Sequence, residues 1–401
     1  DVYKRQTVDF VADAISVVAT PGDGLPGSVE ILANEIQELA KGSLLLGGVR
    51  RVSDTGAPQI DILTNTVLFS ADAKVEGAEI IVTATDKIEI DDDVSIETAG
   101  ARRDSSANYT VKGDGAIVAS SVGGLNISRS EFDSLAGSVV TSAGSRFATT
   151  GTLVVDATNA LEFQSQLDVT GASVRFAGDT ISIGDAPPLT TGLVLTGELI
   201  ADLNKANELI LNSRNSLNLF GNQSLDINLL QIDAASLMGN LSPGDVFALS
   251  ADRLILRNSG SFVAGVNPRV GRLDISSDEL VLSGGEFSID GFENIEIDSP
   301  SIIWTRDSVV NVNADAAEFT TNLISSPKQS KRLELIVDGD AKFLSNASGE
   351  ANFDSGVGSE FSLLAEAVEF GANIHLPSGV ARFETLTGEI DLSNATIDLS
   401  G

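Results

Sequence analysis

Phe247-Ala248-Leu249-Ser250-Ala251-Asp252-Arg253-Leu254-Ile255-Leu256 is the stretch that decides the fold. Apolar or small side chains stand at 247, 249 and 251, a three-residue step follows, and they resume at 254 and 256. Period two is the mark of a strand with one face buried and the other wet. The odd step re-phases the chain as a corner would, and a second short strand resumes with the same side inward. The small residue before the corner leaves room where an inner wall bends.

The same offsets recur at Leu273, Ile275, Ser277, Leu280 and Leu282. They recur again at Val310, Val312, Ala314, Ala317, Phe319 and at Phe361, Leu363, Ala365, Val368, Phe370. Leu153, Val155, Ala157, Leu161, Phe163 and Leu333, Leu335, Val337, Ala341, Phe343 carry one extra spacer residue. Val29, Ile31, Ala33, Ile36 begins the pattern and breaks with Glu38. Copies starting at Phe247 and Leu273, then at Val310, Leu333 and Phe361, are separated by 26, 23 and 28 residues. Such steps, with Gly/Asn/Asp turns between short strands, are the signature of a solenoid rung. A parallel sheet covered by helices reads as unbroken apolar runs, so alternation predicts a sheet whose outer face is solvated. An antiparallel sandwich also alternates. Hairpin dipeptides are few, however, and a sandwich of 401 residues has to split into several domains. A solenoid grows lengthwise without enlarging its core. The expectation is an all-β chain forming a single elongated parallel β-solenoid, with some 15 rungs reaching about 70 Å at the strand spacing. Helix is expected over 197–207 and, more weakly, over 129–135. Turn formers around 104–107, 185–189, 265–269 and 325–331 predict loops projecting from the coils.

Composition narrows the function. Lys and Arg number 25 against 57 Asp and Glu, a formal charge of −32, which repels phosphate backbones and anionic lipid. Nucleic acid is therefore not an expected partner. No run approaches the ~18 apolar residues of a membrane helix, so the chain is not expected to be membrane-embedded. Cysteine is absent, which excludes disulfides, thiol nucleophiles and Cys-based metal sites. One His, one Trp and two Tyr leave few catalytic or stacking side chains. Asp1-Val2-Tyr3-Lys4-Arg5-Gln6 resembles translated sequencing-adapter read-through, so residues 1–6 are set aside as an artefact and 7–401 are taken as the protein fragment. The pattern stops at Leu399-Ser400-Gly401 in mid-rhythm, and both ends are expected to be cut.

Several stretches carry a family resemblance. Val29-Glu30-Ile31-Leu32-Ala33-Asn34-Glu35-Ile36, followed by Ser43-Leu44-Leu45-Leu46-Gly47-Gly48, resembles the coils of filamentous-haemagglutinin-like exoproteins. Thr191-Gly192-Leu193-Val194-Leu195-Thr196, Leu209-Ile210-Leu211-Asn212-Ser213 and Gly291-Phe292-Glu293-Asn294-Ile295-Glu296-Ile297 resemble them too. The resemblance implies a right-handed parallel β-helix within a very large passenger, secreted or held at the cell surface of a Gram-negative bacterium. It implies export by two-partner secretion through an outer-membrane transporter, and a role in adhesion or contact-dependent inhibition. A glycan or cell-surface receptor is the partner it suggests. Neither the amino-terminal secretion domain nor a toxic carboxy-terminal domain is visible in the sequence.

Chemical candidates are each weighed against a structural alternative. Gly22-Asp23-Gly24-Leu25-Pro26-Gly27 is a GxGxxG, with Asp54 roughly where a ribose-binding acid would stand. Pro26 removes an amide where pyrophosphate needs one and no βα alternation follows, so a turn between coils is expected. Asp91-Asp92-Asp93, near Arg102 and Arg103, is the nearest approach to a cation or acid-pair site. Consecutive strand residues alternate sides and do not converge on one ion, which favours a solvated turn. Calcium-binding nonapeptides are absent. His375 has no partner acid nearby in sequence, and no G-x-S-x-G elbow supports nucleophilic chemistry. Trp304 is expected in the core or at an edge, with a sugar-stacking platform as the rival. Asn108, Asn126, Asn222, Asn240, Asn346 and Asn394 begin N-x-[ST] triplets, which a Ser/Thr-rich chain produces by chance. The expected function is a structural shaft displaying binding loops, with no catalytic residues, no cofactor and no metal site. A polysaccharide lyase or hydrolase on the same scaffold is the main rival, and a cation-stabilised surface-layer element the third reading.

Overall fold

The fold was analysed in a computed structural model, which describes residues 7–39, 41–100, 107–133, 135–260, 265, 267–345 and 356–401. The chain is all-β, 57% strand and 4% helix, with long parallel sheets. Its contacts divide it into two compact units, residues 1–179, 190–194 and 201–210, and residues 180–189, 195–200 and 211–401.

In the second unit three strands recur in a fixed order. Asn294–Asp298, Ser301–Trp304 and Ser308–Asn313 are followed by Ala316–Thr320, Leu323–Ser325 and Arg332–Val337. Each pairs in parallel with the equivalent strand one turn earlier. Leu273, Ile295, Ala317, Ala341 and Val368 are successive register partners, separated by 22, 22, 24 and 27 residues. The long strands Val246–Arg257 and Arg272–Leu282 pair along their whole length, Phe247 on Leu273 through Leu256 on Leu282. Those two copies of the sequence pattern therefore stack as expected. The copies beginning at Val310, Leu333 and Phe361 belong to a different phase: they start in the opposite sheet, where Val310 pairs with Phe287 and Leu333 with Phe361. One sequence rule serves both places because both impose the same demand, a small residue and an odd step wherever the chain leaves one strand and keeps its inner face in the next.

Packing follows from register. Phe319, Phe343 and Phe370 are register partners on three turns. The first two rings stack at 4.4 Å between centroids and the next pair lies at 4.7 Å. Serines occupy the corner, where the Ser277 hydroxyl donates to that of Ser299 at 3.1 Å. A small apolar void of about 20 Å³ is lined by Leu280, Val310, Val312 and Leu335 among others.

The first unit stacks Thr66–Phe69, Lys87–Ile90, Ser138–Thr141 and Ala160–Glu162 in one parallel sheet. Lys74–Gly77, Ser95–Thr98, Arg146–Thr149 and Gln166–Asp168 form another. In a third layer the direction reverses. Ala116–Ser121 runs antiparallel to both its neighbours, Glu79–Ala84 and Thr152–Ala157. The chain reaches it through Gly113 and Gly115, at φ of 86° and 141°. A Cβ on Gly115 would fall 2.9 Å from the Ala84 carbonyl oxygen, so only glycine fits there. On either side of this reversal, Ala107–Lys112 and Leu125–Ser130 pair in parallel with one another. Together with the hairpin Gly48–Val52 and Pro58–Ile62 they form an outer four-stranded sheet. Ile60, Val111, Leu125 and Ile127 of this sheet pack on Leu45, Ile81, Ile117 and Val154.

Here the expected solvated outer face is absent. Glu79–Ala84, Ala116–Ser121 and Thr152–Ala157 are buried on both faces, as their near-continuous apolar runs require. Arg129 and Asp156, each with a side chain only 3% exposed, close the two layers with an ion pair at 3.2 Å. Arg129 also donates to the Gly113 carbonyl at 2.8 Å. Glu79 accepts hydrogen bonds from the hydroxyls of Ser43 and Ser121 beneath the same layer.

Among the described residues there are two short helices. Gly197–Leu203 lies within the expected segment. Residues 129–135 form no helix among the described residues, because Leu125–Ser130 is spent on the outer sheet. Val29–Leu32 is a strand as its alternation suggests, but Ala33–Leu39 is helix, with Ala33 and Ile36 buried at helical spacing. The expected loops at 185–189 and 265–269 are irregular where described, whereas Ser325 closes a strand. Residues 1–6 and 104–106 lie outside the described residues.

Phe343 sits in the middle of the ring stack. Phe343→Ala is expected to lower unfolding free energy by about 3–5 kcal/mol. Lys342→Ala, which removes an exposed 3.6 Å pair with Glu318, is expected to cost about 1 kcal/mol or less. Urea titration of both variants checks the order, and equal costs would contradict a core organised by this stack.

Candidate functional site

A polar concavity in the second unit lies outside the corner where the long strands change phase. On the inner side of that corner stand Ala251, Ser277 and Ser299. On the outer side Asp226, Ser250, Ser276 and Asp298 form one column of direct register partners on four successive turns. Asn228, Asp252, Asp278 and Pro300 line the groove beside them, which has a volume of about 320 Å³. No Lys, Arg or aromatic side chain lines it. Carboxylates, hydroxyls and an amide along a groove accept hydrogen bonds from a hydroxyl-rich or amine-bearing ligand, and they disfavour an anionic one. Two serines separate Asp226 from Asp298 in the column, whereas Asp252 and Asp278 stand on adjacent turns. Among the described residues no group of three or more Asp, Glu or His side chains is placed to hold a metal ion.

Sequence reasoning did not single out this groove. Its signal was present in the step itself, an acid directly after the small corner residue in both Ala251-Asp252 and Ser277-Asp278. The corner fixes that acid on the outer face, and stacking repeats it.

The candidates taken from sequence are placed elsewhere. Gly22, Gly24 and Gly27 lie in the turn joining Ala14–Val18 to Val29–Leu32, which pair in parallel. The amides of Gly22 and Gly24 donate to the Glu30 carboxylate at 2.9 and 3.1 Å. That carboxylate occupies the position a phosphate would take, so the turn is closed by the chain itself. Asp54 is exposed in the turn of the 48–62 hairpin. Asp91, Asp92 and Asp93 form a turn, with Asp92 and Asp93 exposed and Asp93 at φ 58°. Arg102 and Arg103 lie outside the described residues.

His375 is in the strand Asn373–His375, and its Nδ1 lies 3.1 Å from Asp398 Oδ2 on the next turn. Stacking thus supplies the partner acid that local sequence did not. Ser400, whose side chain and amide both donate to it, holds the Asp398 carboxyl below the usual range, with a smaller contribution from His375. Trp304 is fully buried, its Nε1 donating to the Lys331 carbonyl at 3.1 Å, which removes it as a sugar platform. Asn108, Asn126, Asn222, Asn240 and Asn394 are exposed, and Asn346 is outside the described residues.

Partial burial raises the Asp91 carboxyl above its ordinary value, and Glu89 and Asp92 raise it further against a smaller opposing effect of Lys87. A carboxyl raised in the folded state favours folding while protonated and loses that contribution as pH rises through its folded pKa. Asp91→Asn is therefore expected to raise the melting temperature at pH 7 and to have no such effect near pH 3, where both states are protonated at about that pH. Calorimetry at the two pH values checks the sign, and the same shift at both would contradict it.

Compared with protein families, curated proteins and solved structures, the chain matches none. No helix of the described residues is long and apolar enough to cross a membrane.

Proposed function

We propose that the chain is a β-solenoid shaft, part of a secreted or surface-held exoprotein of the filamentous-haemagglutinin type, with a right-handed coil and no catalysis of its own. In this reading the full protein reaches the surface of a Gram-negative cell through an outer-membrane two-partner secretion transporter. The shaft carries binding surfaces, of which the groove at Asp226, Asp252, Asp278 and Asp298 is the first, toward a glycan or a surface receptor.

The observation that carries the reading is the repeated register of the second unit. Equivalent strands pair in parallel at steps of 22 to 27 residues from Leu273 to Val368. A chain built this way adds length turn by turn, each turn touching only its neighbours, which suits a spacer and gives an enzyme no particular advantage. The groove supports a binding role for hydroxyl-rich or amine-bearing ligands because it is concave and rich in acceptors.

Excising residues 294–315 removes one whole turn, because Asn294 is the register partner of Ala316. The shortened chain is expected to fold, with its β circular dichroism per residue retained and its urea m-value reduced in proportion to length. Global unfolding of the deletion would sink the shaft. A neutral and amino-sugar glycan array, read for both retained protein and released sugar, tests the binding role. Retention without release is expected, and sugar release would replace the shaft by the hydrolase or lyase reading.

A further inference from the structure

Lys74–Gly77, Ser95–Thr98, Arg146–Thr149 and Gln166–Asp168 make one wall of the first unit, and among the described residues it has four strands. The neighbouring walls continue past it. Ala14–Val18 stacks on Thr66–Phe69, and Ser43–Leu46 on Glu79–Ala84, one turn beyond Lys74–Gly77. Between those two added strands, at the place in the turn that Lys74–Gly77 takes in the next, the chain forms the helix Ala33–Leu39. This helix packs against Lys74–Gly77, with Ala33 and Ile36 buried.

The far end of the same wall repeats the arrangement. The Gln166 amide donates back to the Ser145 carbonyl at 2.9 Å, so by alternation the Leu167 amide faces the place of a fifth strand. The group that meets it is the Asp202 carboxylate, at 3.3 Å, from the helix Gly197–Leu203. Turn-to-turn bonding resumes directly beside that helix. The Gly171 amide donates to the Lys205 carbonyl at 2.8 Å, and the Asn207 amide to the Ala172 carbonyl at 2.9 Å.

We propose that both helices are stops: each takes the place of a strand in this wall, ends its ladder, and keeps the end strand from adding a strand of another chain. Their length suits the role. Seven helical residues rise about 10 Å, close to the ~13 Å of a four-residue strand, so a helix spans nearly the same corner-to-corner distance. Its amides and carbonyls run along its own axis, and it therefore offers no lateral edge on which a further strand could build. Asp202 supplies the one acceptor that the buried end of the ladder needs. The inference rests on these local contacts and stands whether or not the chain serves as an adhesive shaft.

Amide hydrogen exchange and sedimentation velocity of the whole chain test it. Gln37 and Ala201 are exposed, so Gln37→Pro and Ala201→Pro break the two helices without removing a core side chain. Asp202→Ala keeps the second helix and removes the acceptor at Leu167, together with an exposed pair to Lys205. Exchange at the Leu167 amide should quicken at least about tenfold in Asp202→Ala and in Ala201→Pro. Both proline variants should keep their β circular dichroism and associate with rising concentration more than the wild-type chain does. Unchanged exchange at Leu167 in both of its variants overturns the proposal, as do proline variants that associate no more than wild type. Global loss of β circular dichroism in either proline variant would make that helix part of the common core and overturns it too.

Discussion

A parallel strand has half of its backbone hydrogen-bonding groups on each side, and in the second unit the partner is the equivalent strand on a neighbouring turn. That constraint reaches further than any side-chain contact. It holds inter-turn spacing at about 4.8 Å, and it forces whatever residue sits at one position to face its counterpart on the next turn. Phe319, Phe343 and Phe370 stack because their backbones are already in register. Ser277 meets Ser299 at the corner because the turn step returns the chain to the same phase. The packing is a consequence of the ladder, and it makes the ladder specific.

The same constraint governs charge. A chain of net charge −32 that stacks equivalent positions a few ångströms apart places acids on acids unless a cation intervenes. The surface columns show such cations: Arg253 meets Glu279 at 2.8 Å, Arg272 meets Glu296 at 3.0 Å, and Arg269 reaches Asp315 and Asp338 on successive turns. Exposed pairs of this kind contribute little individually, but they relieve a repulsion that repetition would otherwise multiply. No Lys or Arg side chain lines the groove at Asp226, Asp252, Asp278 and Asp298.

Alternation and the small-residue corner were legible in the sequence because they are local consequences of a strand that keeps one face inward. Phe247 to Leu256 stacked on Leu273 to Leu282 could be read directly from matching offsets. The phase of the Val310, Leu333 and Phe361 copies could not, since two different corners obey one local rule. The reversed strand Ala116–Ser121 was hidden for another reason. A strand buried on both faces carries no periodicity to show its direction, and only Gly115, pressed against the Ala84 carbonyl, marks the reversal. The His375–Asp398 pair and the acidic groove were illegible locally because their members are about one turn apart in sequence and meet only through register.

The turn-to-turn register is tested most directly by cross-linking, on a chain that contains no native cysteine. Ser250 and Ser276 are register partners on adjacent turns, whereas Asp298 stands one turn further along the same column. At about 4.8 Å per turn, Ser250→Cys/Ser276→Cys falls within the Cα separation a disulfide tolerates, and Ser250→Cys/Asp298→Cys, at about twice that, does not. Mild oxidation of the folded chain should cross-link the first pair rapidly and leave the second as free thiols. Efficient cross-linking of the second pair, or none of the first, would contradict the parallel stack on which the fold, the groove and the shaft all depend.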